Sequence, residues 1–217
     1  MSNTDLKSQL AARFREVNGD HPMTDADDVY VSAQFVALEE LCAVHGRDTD
    51  EVRRLMLGQH LPLPGYLRSD GAEMVPTDLF ALADGVGGTE ALEAWFTAHW
   101  ADPITGKEEW NAYLSGQYVC LHSVTPAAIQ RKDHLTSAIS AAESEPDAGS
   151  ARWYERLHAL VDELDALEPA FTAYDRLQFA GPTSRDTCVD AMRARFPRPA
   201  AASVLEIPRC SGAHPLL

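Results

Sequence analysis

The sequence predicts a mainly α-helical protein in which an N-terminal unit of short helices with a small β-hairpin packs on a C-terminal helical bundle. Apolar residues recur at helical spacing through most of the 217 residues, and the residues that favour N-caps stand before these stripes. The clearest stripe is Trp153, Leu157, Leu160, Val161 and Leu164. One proline-rich stretch breaks the helical pattern with a hairpin-turn signal.

Three helices are expected in the N-terminal part. The first is capped by Thr4 or Asp5 and ends at the Asn-Gly pair at 18–19. The second ends at Gly46, because a glycine after a helix readily takes the left-handed conformation. Asp48 stands three residues before a glutamate, which is capping-box spacing. A short helix is therefore predicted at 49–57.

The segment 59–76 carries different signals. Pro62 and Pro64 exclude a helix interior, and the sequence Ser-Asp-Gly at 69–71 lies between two short apolar runs. These features predict a two-stranded hairpin. A further helix, capped by Thr77, is expected to follow it.

Glycines at 85, 87 and 88 mark the predicted boundary between two domains, residues 1–86 and 89–197. Residues 198–217 are rich in Ala and Pro and are predicted to form a mobile tail. The second domain is predicted as an antiparallel bundle joined by short loops, with helices at 89–100, 107–122, 126–144 and 150–167. A loop at 169–183 leads to a last helix at 184–196, which Thr183 caps.

Charge and cysteine usage limit the classes of partner. Eighteen Lys and Arg face 33 Asp and Glu, for a net charge of −15, so nucleic acid and membrane surfaces are disfavoured. The first residues lack a signal-peptide pattern, and no apolar run is long enough to cross a membrane. The four cysteines have no metal-binding spacing and are predicted to be reduced thiols: Cys42, Cys120, Cys188 and Cys210. We therefore expect a soluble cytoplasmic protein.

The order helix, turn, helix, hairpin and helix over residues 33–83 resembles the winged helix-turn-helix of MerR-like regulators and excisionases. The resemblance implies a second helix for the DNA major groove and a wing for the backbone. The cations available for this role are Arg47, Arg53, Arg54 and Arg68. Acidic residues are interleaved with them, so we expect a winged-helix-like unit that does not bind DNA.

Three longer stretches carry a second resemblance. RSDGAEMVP (68–76), EEWNAYLSGQYVCLHSVTP (108–126) and FTAYDRLQFAGPTSRDTC (171–188) are similar to a family of small bacterial proteins of unknown function associated with natural product biosynthesis. The resemblance implies a role in secondary metabolism. It supplies no catalytic residues.

The predicted helix 107–122 carries polar residues next to an apolar stripe. Tyr113, Gln117 and Cys120 follow helical spacing, beside a stripe that includes Tyr118. These hydroxyl, amide and thiol groups either line a pocket for one ligand or lie at a helix interface. The sequence leaves both interpretations open.

His99 and Trp100 end one predicted helix. A histidine there either answers the helix dipole or acts as a general base beside an aromatic wall. No dinucleotide, P-loop, hydrolase-elbow or zincin motif occurs, and the histidines are not spaced as metal ligands. We therefore predict neither a metal site nor a cofactor.

The remaining candidates lie in the loop before the last helix and in the hairpin. Tyr174, Asp175 and Arg185 either hold an anion at a helix N-terminus or tie the loop down by ion pairs. In the hairpin, Arg68 and Glu73 are not needed for the turn itself and are either substrate contacts or solvated charges.

These residues lead to a hypothesis of small-molecule binding between the two units. If the protein is an enzyme, cofactor-independent acid-base chemistry fits best, of the cyclase, isomerase or hydrolase type. His99 or Asp175 would then be the base and Tyr118 the donor, with Arg68 and Arg185 on an anionic group. The alternative is a non-catalytic regulator or scaffold, acting as a homodimer or on a pathway partner.

Overall fold

A computed structural model describes residues 3–198, and most of these residues are helical. In chain order the helices are α1 (Asn3–Asn18), α2 (Asp25–Gln34), α3 (Leu38–His45), α4 (Thr49–Leu57), α5 (Ala81–Gly85), α6 (Thr89–Thr97), α7 (Pro103–Leu114), α8 (Pro126–Ala142), α9 (Ala151–Leu167), α10 (Ala173–Gln178) and α11 (Ala191–Arg195). The predicted mainly α fold class is confirmed. Almost all of the predicted tail, including Cys210, lies outside the described residues.

Side-chain caps fix several helix starts where the sequence predicts them. Asp48 accepts a hydrogen bond from the Glu51 N–H at 2.8 Å, and Thr125 accepts one from the Ala128 N–H at 3.1 Å. Ser150 does the same at the start of α9. Each cap satisfies a backbone donor that has no partner within its helix, so these starts are set locally.

A three-stranded antiparallel sheet contains the predicted hairpin. Its strands are β1 (Val36–Ala37), β2 (Tyr66–Leu67) and β3 (Glu73–Val75), in the order β1-β3-β2. The turn between β2 and β3 uses Gly71 at φ +79°. Strand β1 contradicts the prediction of a continuous helix up to Gly46. Two residues cannot show an alternating pattern, and their pairing with β3 is a tertiary contact.

Helix α5 starts later than predicted. Thr77 lies in a turn, and α5 begins at Ala81 without a side-chain cap. The predicted loop at 169–183 is also incorrect in part, because α10 lies within it. That short helix begins with a capping box between Thr172 and Asp175.

The predicted helix 107–122 is broken in the structure. Helix α7 ends at Leu114, Gly116 takes φ +79°, and a separate 3-10 segment covers Gln117–Cys120. A Cβ atom on Gly116 would lie 2.7 Å from the carbonyl oxygen of Pro64, so only glycine fits here. The close approach comes from the hairpin segment, and therefore from the tertiary fold.

Two large apolar clusters organise the described residues. One joins α1, α3, α4 and the hairpin segment to α6 and α7, with Leu10, Leu38, Phe96 and Trp110 among its buried members. The second joins α8 and α9 to the π-helical segment Arg185–Asp190, which continues into α11. The first cluster contains residues from both sides of the glycines at 85–88, and the two-domain division stays a prediction.

The described helices also bear on membrane topology. Among residues 3–198, none of the helices combines the length and the apolar character that a membrane crossing requires.

Candidate functional site

A cleft lies where the hairpin segment and α5 meet the C-terminal end of α7. One wall comes from Phe35 and from the segments 62–65 and 76–82, and the other runs from Tyr113 to Val124. Its cavity volume is about 40 Å³, and the space reaches about 480 Å³ only when open solvent is counted. The cleft is therefore narrow.

Tyr113 is the most informative side chain of this cleft. It is 4% exposed, and its ring stacks on Phe96 with the ring centroids 5.1 Å apart. Burial, together with the charge of Asp78, raises the pKa of its hydroxyl well above the usual range. Among residues 3–198, no group forms a hydrogen bond with this hydroxyl. Its oxygen is nevertheless not fully enclosed by the protein. The hydroxyl therefore faces open space, which here is the cleft.

Tyr118 is the second hydroxyl of the cleft. It donates a short hydrogen bond to the carboxylate of Glu109. Burial raises its pKa most, and the bond to Glu109 raises it further. Tyr118 is thus held as a neutral phenol whose proton is already engaged within the chain.

Asp78 is the one carboxylate among the residues that line this cleft, and no Lys, Arg or His side chain lines it. The Ser123 hydroxyl donates to Asp78 Oδ2 at 2.7 Å. Within the described part of the chain, Asp78 Oδ1 has no such donor. The cleft therefore combines apolar walls with one carboxylate and one unpaired phenol.

His99 and Trp100, both predicted site residues, lie outside this cleft. His99 is exposed, and its Nδ1 is 2.9 Å from the carbonyl oxygen of Trp95 within the same helix end. Trp100 packs on Phe96. These contacts agree with the interpretation in which His99 answers the C-terminal dipole of α6.

The predicted hairpin residues also lie elsewhere. Arg68 is at the surface and pairs with Asp70 at 2.6 Å. Glu73 is buried and pairs with Arg53 at 2.7 Å. Gln117 is exposed, because the break at Gly116 removes it from the helical face that was predicted to carry Tyr113.

The predicted loop residues form a separate buried network. Asp175 is fully buried and accepts a hydrogen bond of 2.6 Å from the Tyr66 hydroxyl. Its other oxygen accepts the Thr172 N–H at 2.6 Å. Tyr174 packs beside Tyr66 with the ring centroids 5.9 Å apart, and Arg185 pairs with Asp165. Asp175 is thus committed to holding α10, and the structure does not bring it near His99 or Tyr118 in one cavity.

A second buried cluster was not predicted as a unit. Lys132 Nζ donates to Cys120 Sγ at 2.9 Å and lies 3.1 Å from Glu168 Oε1. Ser184 also donates to Glu168, whose Oε2 has no partner among the described residues. The sequence places these residues on four different segments, so only the fold could reveal them. Burial raises the pKa of the Cys120 thiol.

Among residues 3–198, no group of three or more His, Cys, Asp or Glu side chains is arranged to hold a metal ion. Three cysteines in this part of the chain are free and buried.

The described residues form a mainly α-helical fold with a narrow, mostly apolar cleft beside a small sheet. A protein-family model described as a family of unknown function (DUF6058) matches residues 92–197, slightly less than half of the chain. This matched part supplies Tyr113 and Tyr118 but not Asp78. No curated protein and no solved structure matches the chain.

Proposed function

We propose that the protein binds a small, slender and mainly apolar molecule with one polar head group in the cleft. The observation that carries this proposal is Tyr113, which is 4% exposed, lines the cleft and has a hydroxyl without a hydrogen-bond partner among the described residues. Because this hydroxyl faces the open space of the cleft, solvent can hydrogen-bond to it when no ligand is bound. A ligand that accepts or donates a hydrogen bond there replaces that solvent contact, while the apolar walls favour burial of a hydrophobic chain.

The dimensions of the cleft limit the ligand. Ligand sites commonly enclose about 300–1,000 Å³, and the cavity volume of this cleft, about 40 Å³, is far below that range. Only a small or slender group therefore fits between its walls. A linear chain or a single narrow group fits this shape better than a fused ring system.

The biological context of the proposal rests on the resemblance to natural product proteins. In that context the ligand is a pathway intermediate, and the free cysteines suit a cytoplasmic location. If the protein is a cofactor-independent acid-base enzyme of the cyclase, isomerase or hydrolase type, Tyr113 and Asp78 are better placed for proton transfer than His99 and Asp175. The reason is that Tyr113 and Asp78 both line the cleft.

The test uses octanol as a neutral and slender probe. Octanol titrated into the full-length protein is expected to shift backbone amide signals of residues 113–124 in two-dimensional NMR spectra. Val124→Trp places a large ring in the cleft and is expected to abolish these shifts. Val44→Trp is the matched control, because Val44 is 77% exposed and does not line the cleft.

The two variants make the outcome clear. If octanol shifts no signal of the cleft in the parent protein, the proposed function is wrong. The same conclusion follows if Val124→Trp and Val44→Trp leave the shifts equally strong, because the probe then binds elsewhere.

A non-catalytic regulator with a winged-helix-like unit is the second candidate. The order of α3, α4 and the β2-β3 hairpin favours it. Arg53 is buried and paired with Glu73, while Arg47 pairs with Asp84 and covers the ring of Phe80. Because these contacts occupy Arg47 and Arg53, few cations of the unit remain to bind the phosphates of DNA. Such a regulator would therefore act on a protein or a small molecule. A gel shift with the promoter DNA upstream of its gene tests this, and retardation at physiological salt would contradict it.

A further inference from the structure

The charges along the cleft select among its possible ligands. Asp78 contributes a carboxylate, and the phenol of Tyr118 points its proton at a second carboxylate, Glu109. No basic side chain lines the cleft. An anionic ligand would lose its hydration here and gain no counter-charge, which is an unfavourable exchange.

We infer that the natural ligand is a linear aliphatic amine that binds as its ammonium form, with the ammonium group between Asp78 and the Tyr113 hydroxyl. This inference rests on the proposed function and names the ligand class of the same cleft. It differs from the anionic ligand that the sequence led us to expect, because Arg68 and Arg185 do not line the cleft and are paired with Asp70 and Asp165.

The hydrogen-bonding groups of the cleft match an ammonium group. Asp78 Oδ2 already accepts from Ser123, while Oδ1 has no donor in the described part of the chain. Tyr113 lines the same cleft, and its phenol oxygen has no hydrogen-bond partner among the described residues. An ammonium group has three N–H donors and no acceptor, so it can donate to Asp78 Oδ1 and to the phenol oxygen together.

The walls match an alkyl chain. Leu79, Leu82, Val119 and Leu121 line the cleft and offer only apolar surface. The small volume of the cavity favours a primary ammonium over a bulkier head group such as a trimethylammonium. A primary amine at the end of an unbranched chain satisfies both the shape and the charge.

The test compares three probes of equal chain length: octylamine, octanol and octanoate. Each is titrated into the full-length protein at neutral pH, and affinities are taken from the NMR shifts of cleft residues. Octylamine is expected to bind about tenfold more tightly than octanol, since a charge-assisted hydrogen bond replaces a neutral one. Octanoate is expected to bind more weakly than octanol.

Two variants separate a specific carboxylate from the general negative charge of the protein. Asp78→Asn is expected to lower the affinity for octylamine to that for octanol measured on the same variant, and so to remove the preference. Glu155→Gln removes the same charge from an exposed site on α9 that does not line the cleft, and it is expected to keep the preference. Ser123→Ala removes the internal donor to Asp78 and is expected to keep or increase the preference.

The outcomes distinguish this inference from the proposed function. Octanol and octylamine binding equally well in the cleft would overturn the amine inference and leave the proposed function standing. Equal loss of the preference in Asp78→Asn and Glu155→Gln would also overturn it, because bulk charge would then explain the effect. If Asp78→Asn does not fold, a loss of preference in Ser123→Ala contradicts the inference. The proposed function itself fails if octanol shifts no cleft signal in the parent protein, or if Val124→Trp leaves those shifts as strong as Val44→Trp does.

Discussion

Removing the hydroxyl from two buried tyrosines is expected to have unequal consequences for stability. Tyr113 and Tyr66 are 4% and 1% exposed, and both rings pack against aromatic neighbours. Their hydroxyls differ. Tyr66 donates a 2.6 Å hydrogen bond to Asp175, whereas Tyr113 has no partner among the described residues. Changing each tyrosine to phenylalanine keeps the ring and tests the hydroxyl alone.

The expected change in the free energy of unfolding depends on whether the lost hydroxyl leaves a buried group without its hydrogen-bond partner. Tyr66→Phe removes a donor from a fully buried carboxylate, which is expected to lower the free energy of unfolding by about 2–3 kcal/mol. Tyr113→Phe strands no partner and removes a polar atom that lacks one. Its free energy of unfolding is expected to lie within about 0.5 kcal/mol of the parent value, or slightly above it.

Urea denaturation followed by circular dichroism measures both changes, and equal m-values would show that the denatured states are comparable. A loss of more than about 1 kcal/mol in Tyr113→Phe would mean that this hydroxyl is bonded within the fold. The proposal that a ligand binds at Tyr113 would then be wrong. Octanol titrations of the same variant complete the test, because binding is expected to weaken while stability holds.

Three further predictions concern the fold around the cleft. Glu73→Gln leaves the buried Arg53 without its closest counter-charge and is expected to lower the free energy of unfolding by about 3 kcal/mol. Glu39→Gln changes a largely exposed partner of the same arginine and is expected to lower it by less than about 1 kcal/mol. Similar urea midpoints for these two variants would contradict the difference. Gly116→Ala forces a left-handed alanine against the carbonyl of Pro64, and a loss of about 2 kcal/mol or more is expected in thermal melts. Burial raises the pKa of five tyrosines, so the folded state keeps protons that the unfolded state releases above pH 10. The contribution of these protonated phenols to the free energy of unfolding is fully present below pH 10. It is lost as the pH rises toward about 12, the pKa of Tyr30. If tyrosinate absorbance rises near pH 10 while circular dichroism is unchanged, the tyrosines ionise in the folded protein and the prediction is wrong. The five residues are Tyr30, Tyr66, Tyr113, Tyr118 and Tyr174.

Elements with local signals were predictable from the sequence. The helix predicted at 49–57 matches α4, because Asp48 caps it and Gly58 follows it. The turn at 69–71 was equally clear, since Gly71 supplies a positive φ. Caps and turns act within a few residues, so they can be read without knowledge of the fold.

Elements set by distant contacts were not predictable in the same way. Strand β1 exists because Val36 pairs with Val75, about forty residues away in the sequence. The site shows the same limit. Tyr113 was a candidate from its position, but Asp78 was not, because nothing in the sequence shows that the two residues share a cleft. The sequence presents Asp175 as a candidate base or as part of an ion-pair network in a loop, whereas the structure shows it as the buried N3 residue of a capping box on α10.

Gly116 connects the error in secondary structure to the discovery of the cleft. On a continuous helix, Tyr113 and Tyr118 would be five residues apart and so about 140° apart around the axis, on different faces. The break at Gly116 changes the direction of the chain, and both phenols then line the same cleft. It also separates Cys120 from them, and its thiol contacts Lys132 instead. A helical reading of residues 107–122 therefore could not have assembled this site, because the site depends on the hairpin backbone that only a glycine can approach.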